Sequence, residues 1–238
     1  MSTAARLSLL ALCLSSAVVC TLLGLWQTDR LLTRRAANAY AMARRDLPVA
    51  ELNRAIPDTL DQRPLLATGT WDHAHTFVLR ARADREAPGV HIVTPLRLEG
   101  RAEAVLVNRG FVPAPDATTP GVPWWEPATG TVTGIGFAIP SVADSGTPLV
   151  RPEGTTWRRL DLATVQRRLP YPVLDVYLHV TEPEPRDSAA SPWPRPARLL
   201  PLDDGPHLNY LFQWFSLAAA SLAFGVIFLR KRSPAPTP

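Results

Sequence analysis

Two stretches without a single charged residue, Leu7 to Leu25 and Leu208 to Leu229, bound what this chain can become. Each is close to the ~20 apolar residues that a helix needs to cross about 30 Å of hydrocarbon. They predict a transmembrane helix over 7–26 and another over 207–229, with an extracytoplasmic domain at 27–206 and a short cytoplasmic tail at 230–238. A cleaved signal peptide is the rival reading of the first stretch, because Arg6 precedes an apolar run. No small-x-small cleavage site follows, and valine before Cys20 does not suit a lipoprotein site, so the segment reads as a retained anchor.

Orientation follows from charge. The "LRKR" at 229–232 holds the C-terminus on the cytoplasmic side, and two crossings bring the N-terminus to that side too. Arg30, Arg34, Arg35, Arg44 and Arg45 after the first crossing argue the other way. Long loops translocate largely regardless of charge, so the second crossing decides and the middle domain lies outside the cytoplasm.

A hydrophobic content of 46% excludes a disordered chain. The net charge of +4 comes from scattered arginines, with no basic run interleaved with aromatics, and nucleic-acid binding is not expected. The only cysteines, Cys13 and Cys20, are ~10 Å apart along one helix, too far for a disulfide. The middle domain therefore has neither disulfides nor thiol chemistry.

Within that domain, 29–46 carries leucine and alanine at helical spacing and should continue the first crossing, with "PVAELNRAI" adding a turn or two after Pro48. From Gln62 the pattern changes to strands. "RPLLATGTW", "HTFVLRAR" and "GVHIVTPLRL" alternate or carry β-branched residues between glycine and proline breaks. Glu99-Gly100-Arg101 reads as a hairpin turn, with "AEAVLVNRGFV" returning. "GTVTGIGFAI" and "YPVLDVYLHV" are further strands, and "TTWRRLDLATVQRRL" is a short strand leading into a helix that Asp161 caps. Proline-rich connectors fill 113–127 and 181–201. The fold class is α+β, with two terminal transmembrane helices flanking a mostly antiparallel β domain that has a few short helices.

No nucleophile-base pattern, phosphate loop or metalloprotease motif is present, so no enzymatic activity is expected. In "WDHAH", His73 and His75 would point the same way on a strand and could share a metal with Asp72, but no third and fourth ligand can be named from the spacing and a polar turn between two strands is the favoured reading. In "VLVNRGFVP" an asparagine, arginine and glycine interrupt a buried strand, which should bulge or end there. Asn108 and Arg109 either satisfy loop carbonyls or, in the functional alternative, Arg109 contacts an anion.

The terminal helices carry more. His207, Tyr210, Leu211 and Trp214 share one face of the second, and Ala218, Ser221 and Gly225 extend it deeper. On the first, Cys13, Ala17, Cys20 and Gly24 form a small-residue stripe leading to Gln27. Small residues let helices approach closely in lipid, so the two crossings should pack on each other or on a partner. Trp26 and Gln27 would then stand level with Gln213 and Trp214, with Arg30 one turn further out. Tryptophan alone is an aromatic belt. Neutral imidazole is also a haem-iron ligand, and arginine pairs with carboxylates such as porphyrin propionates. Water at the headgroup boundary would satisfy His207 equally well.

With these residues in view, the chain resembles the surfeit-locus-one family of cytochrome c oxidase assembly proteins. The matching segments are "LGLWQTDR" (23–30), "PGVHIVTPLRLEGRAEAVLVNRGFVP" (88–113), the pair Trp157 and Asp161, and "HLNYLFQWF" (207–215), in the family's order. Phe111 stands where tryptophan is more usual, and "VRPEGTTW" lacks an expected asparagine. The resemblance implies an integral protein of the bacterial inner membrane, its domain periplasmic, that assists haem a delivery or insertion into the oxidase catalytic subunit. It implies His207 as axial ligand of a transiently bound haem a, with Tyr210, Gln213, Trp214, Trp26, Gln27, Arg30 and Arg109 around it. Partners would be that catalytic subunit, membrane lipid and a haem a synthase. The alternative is a scaffold that holds subunit and synthase together without touching haem.

Overall fold

The first uncharged stretch is part of one helix, α1 (Thr3–Arg45), which runs on without interruption because no proline occurs before Pro48. A proline disfavours helical geometry in the residue before it, and α1 ends just ahead of that point. This computed structural model describes residues 3–140, 156–182, 191–199 and 201–230. The tail beyond Arg230, most of "VRPEGTTW" and part of the second proline-rich connector lie outside the described residues.

The chain divides into two compact units, one made of 1–40 with 202–238 and the other of 41–201. The first unit is a pair of helices. α1 meets the second apolar helix, here α3 (His207–Arg230), along a seam in which Ala17, Cys20, Gln27 and Leu31 of α1 and Ala218 of α3 are buried. The seam runs antiparallel. Cys13 lies against Gly225, Ser16 Oγ is 3.2 Å from Ser221 Oγ, and Gly24 faces the ring of Phe215. A Cβ added at Gly24 would stand 2.8 Å from that ring, so only glycine permits this approach. The small-residue stripes expected to pack on each other or on a partner therefore pack on each other.

The second unit is built on a sheet closed into a barrel. Its strands are β1 (Ala50–Glu51), β2 (Pro64–Trp71), β3 (Phe77–Asp84), β4 (Ala87–Leu98), β5 (Ala104–Pro113), β6 (Thr129–Ala138), β7 (Thr156–Trp157) and β8 (Val173–Val180). β2, β6, β8, β5 and β4 pair in that order, and β4 returns to β2 through Gly69↔Leu98 to Trp71↔Leu96, closing the ring. Gly69 has no space for a Cβ, which would fall on the Arg97 carbonyl, so closure of the ring depends on glycine there. Antiparallel pairing predominates, with β1–β2, β3–β7 and β5–β8 parallel. The expected hairpin is present: β4 and β5 pair across a turn in which Gly100 has φ 74°.

Alternate residues of the ring strands, among them Leu65, Ala67, Leu96, Val105, Val107, Val132, Val176 and Leu178, fill its interior, as the two-residue side-chain period requires. The other face of β5 is covered by α2 (Leu162–Arg168), whose Val165 packs with Leu106, Trp157 and Val173. Asp161 caps α2 by accepting from the Thr164 N–H at 2.9 Å and the Thr164 hydroxyl at 2.6 Å. A third cluster, Val78, Val90, Ile92 and Val112, is roofed by Trp124 and Trp193 of the proline-rich connectors.

One expectation is met only in part. The stretch after Pro48 makes a single hydrogen-bonded turn, Ala55 N–H to the Glu51 carbonyl at 3.1 Å, and no longer helix. Ala50 and Glu51 pair in parallel with Leu65 and Leu66, and Leu52 is fully buried. Of the two readings of "WDHAH", the polar turn is the one found: its histidines stand on a short 3-10 turn, His73–His75.

Candidate functional site

The site begins with how α3 starts. Asp203, Asp204 and Gly205 turn the chain just before Pro206, with Gly205 at φ 61°. Arg34 of α1 donates to the Asp203 carboxylate at 2.9 Å and to its backbone carbonyl at 2.6 Å. Arg35 takes both oxygens of Asp204, at 2.9 and 2.6 Å. Asn38 adds a bond to the Asp203 carbonyl at 2.8 Å. Guanidinium forks suit bidentate pairing, and these two fix the entry of α3 against α1. The sequence shows an Asp-Asp step and an Arg-Arg step, but only the fold reveals that they face one another.

This entry point sets His207. Its Nδ1 is 2.9 Å from Oε1 of Gln27, and Gln27 is 7% exposed, so the amide has no water to turn to. An amide oxygen only accepts, so Nδ1 carries the ring proton and donates it. Neutral imidazole then has its lone pair on Nε2. A bond to one ring nitrogen that fixes the tautomer and aims the other is the arrangement found behind metal-binding histidines.

The aromatic neighbours divide by face. Trp26 is 50% exposed and Tyr210 is 45% exposed, whereas Trp214 is half-buried. Arg30, one turn on from Trp26, lays its guanidinium 5.7 Å from the Trp26 ring centroid. The buried positions 17, 20, 24, 27 and 31 on α1, and on α3 the half-buried 211, 214 and 221 with the buried 218 and 225, repeat with three-four spacing. Counted from that seam, Trp26 and Arg30 fall on the flank that adjoins Tyr210 and Gln213 in an antiparallel pair. Along the seam the Gln27 side chain reaches His207, and Gly24 lies against Phe215.

Arg109, weighed as a propionate partner, is 1% exposed inside the barrel unit. Its guanidinium lies 4.7 Å from the Trp71 ring centroid and 5.9 Å from that of Trp125, and it donates to the Trp125 carbonyl at 2.9 Å. It is the extra residue of a β-bulge, because Val93 pairs with Asn108 and Ile92 with Gly110. The bulge turns Arg109 to hold the tryptophan-rich loop, the structural role of satisfying a loop carbonyl.

The "WDHAH" residues form a hydrogen-bonded knot. Asp72 accepts from Tyr171 at 2.6 Å and from His75 Nδ1 at 2.7 Å, and His73 Nε2 donates to the Pro127 carbonyl at 2.6 Å. Burial raises the Asp72 carboxyl pKa, but the bonds from Tyr171 and His75 outweigh it and leave the net shift downward. Among the described residues no three His, Cys, Asp or Glu side chains gather as a metal site would require.

One polar cluster escaped the sequence reading. His91 on β4, Asn108 on β5 and His179 on β8 come together, with Asn108 Nδ2 3.3 Å from His91 Nδ1 and 3.5 Å from His179 Nδ1. A histidine inside each of two apolar strands, "GVHIVT" and "VYLHVT", was the available signal. Their meeting depends on the pairing of β4, β5 and β8, which no local pattern encodes.

A closed β-barrel unit joined in one chain to an antiparallel pair of long apolar helices defines a class, a β domain with two candidate membrane anchors. The SURF1 (surfeit-locus-one) family model matches residues 14–219. A SURF1-like protein of Monosiga brevicollis is 30% identical over 237 residues, covering 92% of this chain and 86% of that protein. The chain belongs to the SURF1 family, whose members are assembly factors for cytochrome c oxidase, and its two terminal helices are consistent with a membrane protein.

Proposed function

We propose that this protein assists cytochrome c oxidase assembly by holding haem a at the mouth of its helix pair and presenting it to the catalytic subunit. The two long helices cross the bacterial inner membrane with both termini in the cytoplasm, and the barrel unit lies in the periplasm. The observation that carries the reading is the 2.9 Å bond between Gln27 Oε1 and His207 Nδ1. It leaves the His207 Nε2 lone pair as a ligand of fixed direction, and that donor chemistry fits a haem iron.

When bound, haem a supplies an iron that accepts a neutral imidazole. His207 holds it, Gln27 positions His207, and Trp26 and Tyr210 offer half-exposed aromatic surface for a planar apolar macrocycle. Arg30, whose position over Trp26 leaves its charge at the outer end of that surface, would pair with the propionates. Gln213 and Trp214 line the deeper part. Lipid surrounds the remaining apolar faces, and a haem a synthase is the source of the cargo.

The test is an optical spectrum of the full chain purified from cells that make haem a. Wild type is expected to show haem absorbance and His207→Ala to lose it. Unchanged absorbance in His207→Ala removes the ligand assignment. Copurification of oxidase subunit and synthase from cells lacking haem a, with no haem bound in any strain, would leave the scaffold reading in its place.

A further inference from the structure

The barrel unit contains a cavity of about 420 Å3, enclosed by the end of β3, by β4, β5 and β8, and by the returning segment at Ala197 and Arg198. We propose that this cavity binds an organic carboxylate with an apolar body, its head held by Arg82, Tyr177 and the Nε2–H of His91. The proposal is independent of the helix-pair reading.

Two bulges shape the site, and bulges gather where a strand must re-aim side chains. In β3 the register with β4 slips between Leu79 and Arg82, with Ala81 at φ 56°, so that Arg82 and the turn after it come over the cavity. In β5 the slip at Arg109 leaves Asn108 on the cavity floor.

The floor is a chain of hydrogen bonds with one free end. Gly110 N–H donates to Asn108 Oδ1 at 3.2 Å, which turns the amide NH2 toward the two histidines. Each of its hydrogens serves one Nδ1, at 3.3 Å for His91 and 3.5 Å for His179. Both rings therefore carry their proton on Nε2. His179 gives its proton to the Ala197 carbonyl at 2.7 Å. The corresponding N–H of His91 takes no partner among the described residues, and His91 lines the cavity. Burial, helped by the charge of Arg82, drives the His91 pKa down to about 3, so the ring stays neutral and the donor stays fixed at ordinary pH.

Above the floor the surroundings are rich in donors. Arg82 is half-buried, gives part of its guanidinium to the carbonyls of Arg80, Ala81 and Arg158, and forms no ion pair among the described residues. Arg85 and Arg198 also line the cavity, and among the described residues Asp84 is its one carboxylate. Burial raises the Tyr177 pKa, so its hydroxyl keeps its proton. Donors without a matching acceptor call for a ligand that only accepts. Leu79, Phe111 and Ala83 supply an apolar wall that a bare inorganic anion would leave unused.

The test is calorimetric titration of the full chain in lipid nanodiscs with 4-phenylbutyrate, 4-phenylbutanol and inorganic phosphate. Saturable binding of the carboxylate is expected, with the alcohol and phosphate at least about tenfold weaker, because a charge-assisted bidentate bond is lost or the wall is empty. Arg82→Gln should weaken the carboxylate by about tenfold or more, and Arg54→Gln, on an exposed turn, should not change it. If Arg82→Gln does not fold, Tyr177→Phe, which removes one donor and no packing, carries the same expectation. No saturable binding, equal affinity for the alcohol, or wild-type affinity in the folded cavity variants overturns the proposal. Hexadecanoate and haemin then compete with the probe. Displacement by the first identifies an acyl-chain acid, displacement by the second a porphyrin propionate, and displacement by neither also counts against the site.

Discussion

Gln27 touches no cargo in the proposed site, so replacing it tests whether His207 works because it is positioned. Gln27→Leu fills about the same volume at a buried seam position but removes the acceptor 2.9 Å from Nδ1. The half-buried imidazole N–H then lacks its acceptor, which costs at most about 1–3 kcal/mol. Part of that cost is relieved if the ring turns or changes tautomer, and either response misdirects Nε2. Loss of such outer bonds typically reduces metal affinity by about 10–100-fold, equivalent to about 1.4–2.7 kcal/mol. Haem loss from the full chain to excess apomyoglobin measures it, with a rate about 10–100 times faster expected for Gln27→Leu. A purely structural role would not move the reduction potential. Gln27→Glu, a stronger acceptor, should lower the potential, and Gln27→Leu should raise it. Ser16→Ala cuts the hydroxyl contact to Ser221 deeper in the same seam and serves as the control. If Ser16→Ala loses haem as fast as Gln27→Leu, or if the potential is the same in all three variants, the positioning argument is refuted.

Two further perturbations address the barrel unit. Asp161→Ala removes the cap of α2 and leaves Thr164 without two bonds, so thermal unfolding of that unit should shift down by about 2–4 °C for a loss of about 1 kcal/mol; an unchanged transition would mean that α2 owes nothing to its cap. For His91, whose pKa falls from 6.5 to about 3 on folding, the unfolded chain binds a proton between those values that the folded one does not. The contribution is therefore fully present above pH 6.5 and declines as pH falls below it, with a slope of at most about 1.4 kcal/mol per pH unit. Urea midpoints between pH 7 and about 5 should flatten in His91→Gln, and a slope equal to wild type would show that the buried ring does not set the acid limit.

What could be read from the sequence was whatever repeats locally. Absence of charge gave both long helices, alternation gave the ring strands, Gly100 gave the hairpin and Asp161 the cap, because each signal is contained within a few residues. After Pro48 the helical composition of "VAELNRA" yields only the single turn at Glu51–Ala55, because the parallel pairing of Ala50 and Glu51 with β2 fixes its start as a strand. Barrel closure at Gly69 and the meeting of His91, Asn108 and His179 depend on register between strands distant in sequence, and no local pattern carries register. The helix-mouth residues were legible as types but not as pairs. His207 and Gln27 stood out as polar groups near apolar runs, yet their bond follows from the antiparallel offset fixed by Arg34 and Arg35 on Asp203 and Asp204.

That offset bears on how a carrier could let go. His207 is the one histidine on either long helix, and the cysteines of α1, Cys13 and Cys20, lie several turns from it. The helix pair thus supplies a single strong axial donor in the proposed site, together with aromatic walls that remain about half exposed at Trp26 and Tyr210. A resident haem protein would bury those walls and close the second axial position. In the proposed site Gln27 would make the one donor directional without making it numerous, so a recipient offering two well-placed imidazoles would outcompete it on ligand count alone. Tight seam packing at Gly24 and loose aromatic cover at the flank would then serve one purpose in the proposed carrier, rigid where the ligand is aimed and open where the cargo would leave.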